Sequence, residues 1–295
     1  MTYKIIDPHL HFFNLTDGEY HWLKPANPPY WRDKQNIHRS YSEQDLILAP
    51  ELKLMGFVHI EAGFDNRQPS RELEWLESSC RLSFKTIAST NLMLKTHEFK
   101  QQIDELIAYN SLVGVRHILD ADALSILQSK TSFTNLSYLE ECGVIFELQA
   151  DLADSETVNL IVKMLEDLPL KSLNVVINHA GFPPVPQNKT QFINWTNSIK
   201  KLSQNPNVSI KCSGWEMTDR HYSNKFIAEV IDTAVRIFGF RRVMLASNFP
   251  LCTFSKSYEA FWCEIVSTLN KLDVTEEQKK ALLHDNAFSI YFDRS

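Results

Sequence analysis

Ile5-Ile6-Asp7-Pro8-His9-Leu10-His11 carries an apolar run straight into two histidines one residue apart. If residues 3–9 form a β-strand, successive side chains alternate faces, so His9 and His11 point the same way off its C-terminal end. Two imidazoles presented to one point can hold a metal ion or act on a carbonyl. Alone, the pair reads equally well as two loop histidines, so the rest of the chain decides. Short apolar runs recur at 56–62, 86–91, 113–118, 144–148, 173–178, 208–212 and 242–246. Helical patterns separate them at 42–52, 70–81, 98–109, 134–142, 155–168, 191–202 and 225–238, and two more close the chain at 257–269 and 275–284. The pattern is clearest at Val158, Ile161, Val162, Leu165 and Leu168, one face of a helix. The runs between helices are largely apolar, as parallel strands covered on both faces should be. Eight such alternations predict the α/β class and a (β/α)8 TIM barrel. An open doubly wound sheet is disfavoured because no glycine-rich phosphate loop follows the first run. Neither a repeat nor a linker interrupts residues 1–295, so a single domain is expected.

Composition narrows the function classes. A net charge of −6 argues against a nucleic-acid partner. The five cysteines, Cys80, Cys142, Cys212, Cys252 and Cys263, are scattered without a CxxC pair, so neither a zinc knuckle nor a disulfide framework is indicated. The sequence has no signal-peptide pattern and no run long enough to span a bilayer, so no membrane role and a cytoplasmic location are expected.

Residues 12–40 lack periodicity and hold Trp22, Pro25, Pro28, Pro29, Tyr30 and Trp31. That is more than a tight connection needs, and we read the segment as a cap over a pocket, with Trp22 and Trp31 reaching substrate. A packed surface loop is the alternative.

Reactive residues of a barrel sit where its strands end in the chain direction. The expected strands end at His9 and His11, then His59 and Glu61, Arg116 and His117, Glu147 and Gln149, His179, Lys211 and Asn248. Histidines ending several separate strands are not what packing alone requires. His59 lies between Val58 and Ile60, where a core histidine is an equal reading, and His117, followed by Ile118 and Leu119, is read as packing. Arg116 can pair with Glu61 or Glu147, and Lys211 with Glu147 or Glu216. Arg116, Lys211 and the arginines after the second strand, Arg67 or Arg71, can also hold a substrate carboxylate.

These residues carry a resemblance. Ile6-Asp7-Pro8-His9-Leu10-His11-Phe12-Phe13-Asn14, Val58-His59-Ile60-Glu61-Ala62, Gly114-Val115-Arg116, Glu147-Leu148-Gln149 and Asn178-His179-Ala180-Gly181-Phe182-Pro183 follow one another in order. Lys211-Cys212-Ser213-Gly214, Ala246-Ser247-Asn248-Phe249-Pro250 and Asp285-Asn286-Ala287-Phe288 complete the series. Together the chain resembles the amidohydrolase-2 branch of the amidohydrolase superfamily, nearest its sugar-lactonase and dicarboxylate-lactonase group. The resemblance implies a barrel hydrolase acting on a lactone or another small carboxylic ester or amide, with His9, His11 and His179 in the site. The substrate it implies is a small molecule, acidic or sugar-derived; homo-oligomers are allowed. The family usually carries Asp where this chain has Asn248. An amide has no titratable proton near neutral pH and is a weaker metal ligand than a carboxylate. The substitution tilts the expectation towards a metal-free site, with one Zn²⁺ on His9, His11 and His179 as the alternative. It leaves Glu61, Glu147 or a histidine as the base. A metal-independent isomerase or lyase, and a binding barrel without catalysis, are the other readings.

Overall fold

The computed structural model describes residues 2–293. Eight strands run in parallel in sequence order: β1 Tyr3–Leu10, β2 Leu52–Ile60, β3 Phe84–Ser89, β4 Leu112–Ile118, β5 Ile145–Gln149, β6 Val175–Ile177, β7 Val208–Cys212 and β8 Val243–Leu245. β1 and β8 meet just past their C-terminal ends, where Asn248 N donates to His9 O at 2.9 Å and His11 N to Phe249 O at 2.6 Å. Ten α-helices lie among the described residues: α1 Ser70–Ser79, α2 Thr96–Ile107, α3 Ala123–Leu127, α4 Lys130–Glu141, α5 Ser155–Asp167, α6 Lys189–Leu202, α7 Trp215–Thr218, α8 Asn224–Phe238, α9 Tyr258–Leu269 and α10 Glu276–Lys280. This is the (β/α)8 barrel that the alternation predicts.

Period-2 alternation sorts the strand residues into two buried sets. Ile6, Val58, Ile60, Ile87, Ile145, Val176 and Met244 form an inner cluster, joined by Ala287 and Tyr291 of the C-terminal segment. Phe57, Val115, Phe146, Leu148, Ile210 and Leu245 belong to the larger core packed by the helices. Helix starts follow local chemistry. Asp154 accepts from the Glu156 and Thr157 amides to open α5, whose Val158, Ile161 and Leu165 are buried. Such a cap contributes about 1 kcal/mol.

Two sequence expectations change, and two short helices are added. No helix spans 42–52: Ser42 caps a single 3₁₀ turn, Glu43–Asp45, and the chain then straightens. Pro50 cannot continue a helix, and Leu52, Lys53 and Leu54 pair with Tyr3, Lys4 and Ile5 in the barrel. Tertiary pairing overrides a good capping signal there. The closing helix over 275–284 is α-helical only to Lys280 and continues as π-helical turns, Ala281–Asp285 and Phe288–Phe292. The short helices α3 and α7 lie where no helical pattern is legible.

Segment 12–40 is held down at several points. The Lys34 ammonium, 5 % exposed, donates to the carbonyls of Trp22 at 2.8 Å, Lys24 at 3.2 Å and Asn27 at 2.7 Å. Trp22 Nε1 donates to Ala62 O at 2.7 Å, and Arg220 Nε to Asp33 Oδ2 at 2.8 Å. No described helix is long and apolar enough to cross a membrane.

Candidate active site

A cavity of about 510 Å³ opens at the C-terminal end of the strands. Its polar lining comes from His11 after β1, Glu61 after β2, Arg116 on β4, Gln149 on β5, His179 after β6 and Asn248 after β8, with Asn66 and Asp120 nearer the mouth. Its apolar walls are Trp22, Pro28, Pro29 and Trp31 of segment 12–40, with Ile118, Phe182, Met217 and Leu251. The volume and the mostly apolar lining suit one small molecule.

Backbone geometry aims the key side chains. His179 and Asn248 both have left-handed φ, 51° and 58°. Non-glycine residues are uncommon there and are held by their surroundings, which is why each side chain can turn back over the barrel mouth. Gly214, φ +69°, passes so close to His179 that a Cβ would lie 2.5 Å from its Nδ1. We expect Gly214→Ala to displace the His179 ring, break its contact with Ser213 and lower stability by roughly 1–2 kcal/mol, the strain of a left-handed residue. Thermal melts and a structure of the variant check this; an unmoved ring contradicts it.

The three histidines of the sequence expectation come together. Ring centroids of His9 and His179 are 4.5 Å apart, and those of His9 and His11 5.1 Å. All are held below the usual histidine range, chiefly by burial. Arg116 and Lys211 add to this for His179, which falls to about 3, and Arg116 and His59 for His11. Each imidazole is therefore neutral near pH 7. His11 Nδ1 donates to Ile60 O at 2.8 Å, so the proton sits on Nδ1 and Nε2 carries a lone pair. That nitrogen lies 3.3 Å from Asn248 Oδ1. Asn248 Nδ2 in turn donates to Glu216 Oε1 at 2.6 Å. His179 Nδ1 and Ser213 Oγ hydrogen bond at 3.0 Å, which leaves His179 Nε2 for the cavity.

Arg116 is anchored by Glu61: Nε and Nη2 reach Glu61 Oε1 at 2.8 and 2.7 Å, and Nη2 also donates to Glu61 O at 3.0 Å. Nη1 donates to Gln149 Oε1 at 3.0 Å and has a second hydrogen to offer.

Some expected site residues lie elsewhere. His9 is fully buried beneath the cavity, and neither of its ring nitrogens has a hydrogen-bond partner among the described residues. Lys211 and Glu147 do not line the cavity. They form an ion pair of 2.7 Å with both side chains fully buried, and Tyr291 OH donates to the same Glu147 oxygen at 2.6 Å. The alternation that turns Ile210 and Cys212 to the helices turns Lys211 inward, one layer below the strand ends. Lys211 thus meets Glu147 before any substrate. Arg71 is taken by Asp65 at 2.8 Å, away from the cavity. His59 is buried 4.0 Å from Glu72, a core position. Sequence reasoning missed Glu216 as a site residue. Glu216 is 1 % exposed in the short α7, its Oε2 has no partner among the described residues, and burial pushes its carboxyl up to about 7. The only signal for it is Gly214, whose turn folds the chain back towards β8.

The alternative left open by the resemblance is one Zn²⁺ on His9, His11 and His179, with residue 248 where the family usually has a carboxylate. Among the described residues no three His, Cys, Asp or Glu side chains converge as a cation site. His11 and His179 each keep Nε2 once Nδ1 is spent on Ile60 O and Ser213 Oγ, so what the set lacks is the carboxylate: residue 248 offers a neutral amide already bonded to Glu216. Without that anionic oxygen the donor set does not fit a tightly bound cation.

Comparison with known proteins gives a consistent answer. The uncharacterized protein y4mH of Sinorhizobium fredii is 27 % identical, matching 97 % of this chain and 98 % of its own length. L-fucono-1,5-lactonase of Burkholderia multivorans is 22 % identical over 86 % of this chain and 84 % of that protein. An amidohydrolase from Burkholderia multivorans with bound HEPES superposes with a TM-score of 0.80 at 19 % identity, covering 97 % of this chain and 98 % of that one. The same protein with bound zinc gives 0.78 at 19 % identity, with the same coverage of both chains. The family model described as Amidohydrolase matches residues 6–292, and this chain, an enzyme, belongs to that family.

Proposed function

We propose that the enzyme hydrolyses a small, uncharged lactone in the cavity at the strand ends. The observation that carries this reading is the pairing of two acceptors with two donors around one cavity. His11 Nε2 and Asn248 Oδ1, 3.3 Å apart, both present lone pairs. A water placed before them donates one hydrogen to each and turns its own lone pair to the cavity. Arg116 Nη1 offers a hydrogen, and with Ser213 donating to His179 Nδ1, His179 Nε2 carries the other. These two donors polarise the lactone carbonyl and stabilise the oxyanion formed as water attacks. His11, neutral and hence able to accept, takes the water's proton and returns it to the ring oxygen as the acyl–oxygen bond breaks. Segment 12–40 supplies Trp22 and Trp31 as walls that exclude water and present flat faces to a ring.

The charge balance of the cavity argues against the acidic substrates that the sequence suggests. Its lining holds one cation, Arg116, already paired with Glu61, and a second carboxylate, Asp120. Of the other candidates for a carboxylate, Lys211 and Arg71 are engaged elsewhere, and Arg67 is exposed and outside the cavity lining. A substrate carboxylate meets no free cation among the described lining residues, whereas ring hydroxyls find Asp120, Asn66 and Gln149 as partners. The similarity to L-fucono-1,5-lactonase supports the same class. The test is a matched pair of lactones differing by one carboxylate, followed by acid release. We expect kcat/KM to favour the uncharged member by about tenfold or more, since unmatched like charges destabilise binding by several kcal/mol. A preference for the carboxylated member overturns this assignment.

A further inference from the structure

We propose that Glu216 is a positioning residue, which holds the Asn248 amide with its carbonyl oxygen turned to the cavity and so creates the acceptor pair that orients the attacking water. The inference rests on the hydrolytic reading above and adds a residue to it.

Asn248 can take two orientations that exchange Oδ1 and Nδ2, and only its neighbours choose between them. On one side stands Glu216 Oε1 at 2.6 Å, on the other His11 Nε2 at 3.3 Å. His11 Nε2 has a lone pair, because Nδ1 gives its proton to Ile60 O. Left to His11 alone, the amide would turn Nδ2 towards that lone pair. It would then cap the base and present no acceptor to water. A carboxylate at Glu216 reverses the choice, since it only accepts and binds Nδ2 with a charge-assisted bond. The consequence is an Asn248 oxygen facing the cavity beside the free His11 nitrogen.

The placement of Glu216 fits this task better than packing. Among the described residues no cationic side chain is bonded to its buried side chain, and Oε2 has no partner. Arg220 donates instead to the Glu216 backbone carbonyl and pairs with Asp33. A carboxylate buried this way is unfavourable unless a specific hydrogen bond offsets part of the lost hydration. Burial pushes the Glu216 carboxyl up to about 7, with the Asn248 hydrogen bond opposing.

Glu216→Gln separates this role from a structural one. It is isosteric and keeps a hydrogen bond to Asn248, so a packing role leaves activity unchanged. In our account it lets the amide reverse, because glutamine can donate to Oδ1 while Nδ2 bonds His11. The expected result, about one pH unit above the Glu216 value, is a fall in kcat of about tenfold or more, the population shift one hydrogen bond can drive. KM stays within about threefold, and thermal melting confirms that the variant is folded. The double variant Glu216→Gln/Asn248→Asp presents an acceptor to the cavity again, because the glutamine can donate to the new carboxylate. It should exceed both single variants, since Asn248→Asp alone sets two carboxylates face to face. A kcat for Glu216→Gln within twofold of wild type, or a double variant no better than the better single, overturns the proposal. Failure of wild type to open any lactone strikes the hydrolytic reading instead. A ¹⁵N–¹⁵N coupling across a hydrogen bond between Asn248 Nδ2 and His11 Nε2 then still decides on Glu216 without substrate. It should appear in Glu216→Gln and be absent in wild type, where Nε2 accepts from water; its absence from the variant overturns the inference.

Discussion

Replacing His11 by asparagine is expected to lower kcat by ~10²–10⁴-fold, the range of a lost general base. Asparagine is chosen because its Nδ2 can take over the hydrogen bond that His11 Nδ1 donates to Ile60 O, 2.8 Å long. The local fold is thereby kept while the Nε2 lone pair is removed. Asn248 Oδ1 still holds a water, but nothing beside it accepts the proton. KM should change little, because the Trp22, Trp31 and Phe182 walls are untouched. A fall of less than tenfold would move the base to another group, with Glu61 the next carboxylate on the cavity wall.

The second large effect concerns stability. Lys211→Met removes the cation 2.7 Å from Glu147 where both side chains are fully buried. Burial already lowers the Lys211 ammonium to about 8 against the opposing pull of Glu147, so the pair is held by mutual charge and not by solvent. Breaking one half of a buried pair destabilises by about 3–5 kcal/mol. For a domain of this size that corresponds to roughly 6–20 °C in Tm. Adding Glu147→Gln removes the stranded charge and keeps an acceptor for Tyr291, which donates to Glu147 Oε1 at 2.6 Å. The double variant should recover most of the loss, and the thermodynamic cycle isolates the pair. A single-variant loss below about 1 kcal/mol would mean that water or another cation compensates Glu147.

Those two residues show where the sequence is legible and where it stops. Strand order, the barrel and the convergence of His9, His11 and His179 follow from apolar runs that end in polar residues. Which layer a strand residue occupies does not. Lys211 and Asn248 both end expected strands. Asn248, just past β8, lies at the cavity, while Lys211, inside β7 and turned inward by its alternation, lies beneath it. The 3₁₀ turn at Glu43–Asp45 carries a full capping box, yet no helix grows from it because β2 begins at Leu52 to pair with β1. Local signals cannot report that competition. Glu216 was hidden for a related reason. Its proximity to Asn248 depends on the fold of a four-residue helix after Gly214, which has no periodicity to read. Which cations are free to meet an acidic substrate is likewise not legible. Arginines and lysines can be counted in a sequence, but whether a carboxylate of the chain itself already holds them is visible only in three dimensions.

Addition of water to an acyl carbon in this cavity is tested by turnover of an uncharged lactone in H₂¹⁸O, with mass spectrometry of the product and an enzyme-free control. One solvent oxygen is expected in each product carboxylate, formed at an enzyme-dependent rate that collapses in His11→Asn. An enzyme-formed product that is an isomer of the substrate, with no solvent oxygen, would contradict it and favour isomerase or lyase chemistry at the same residues.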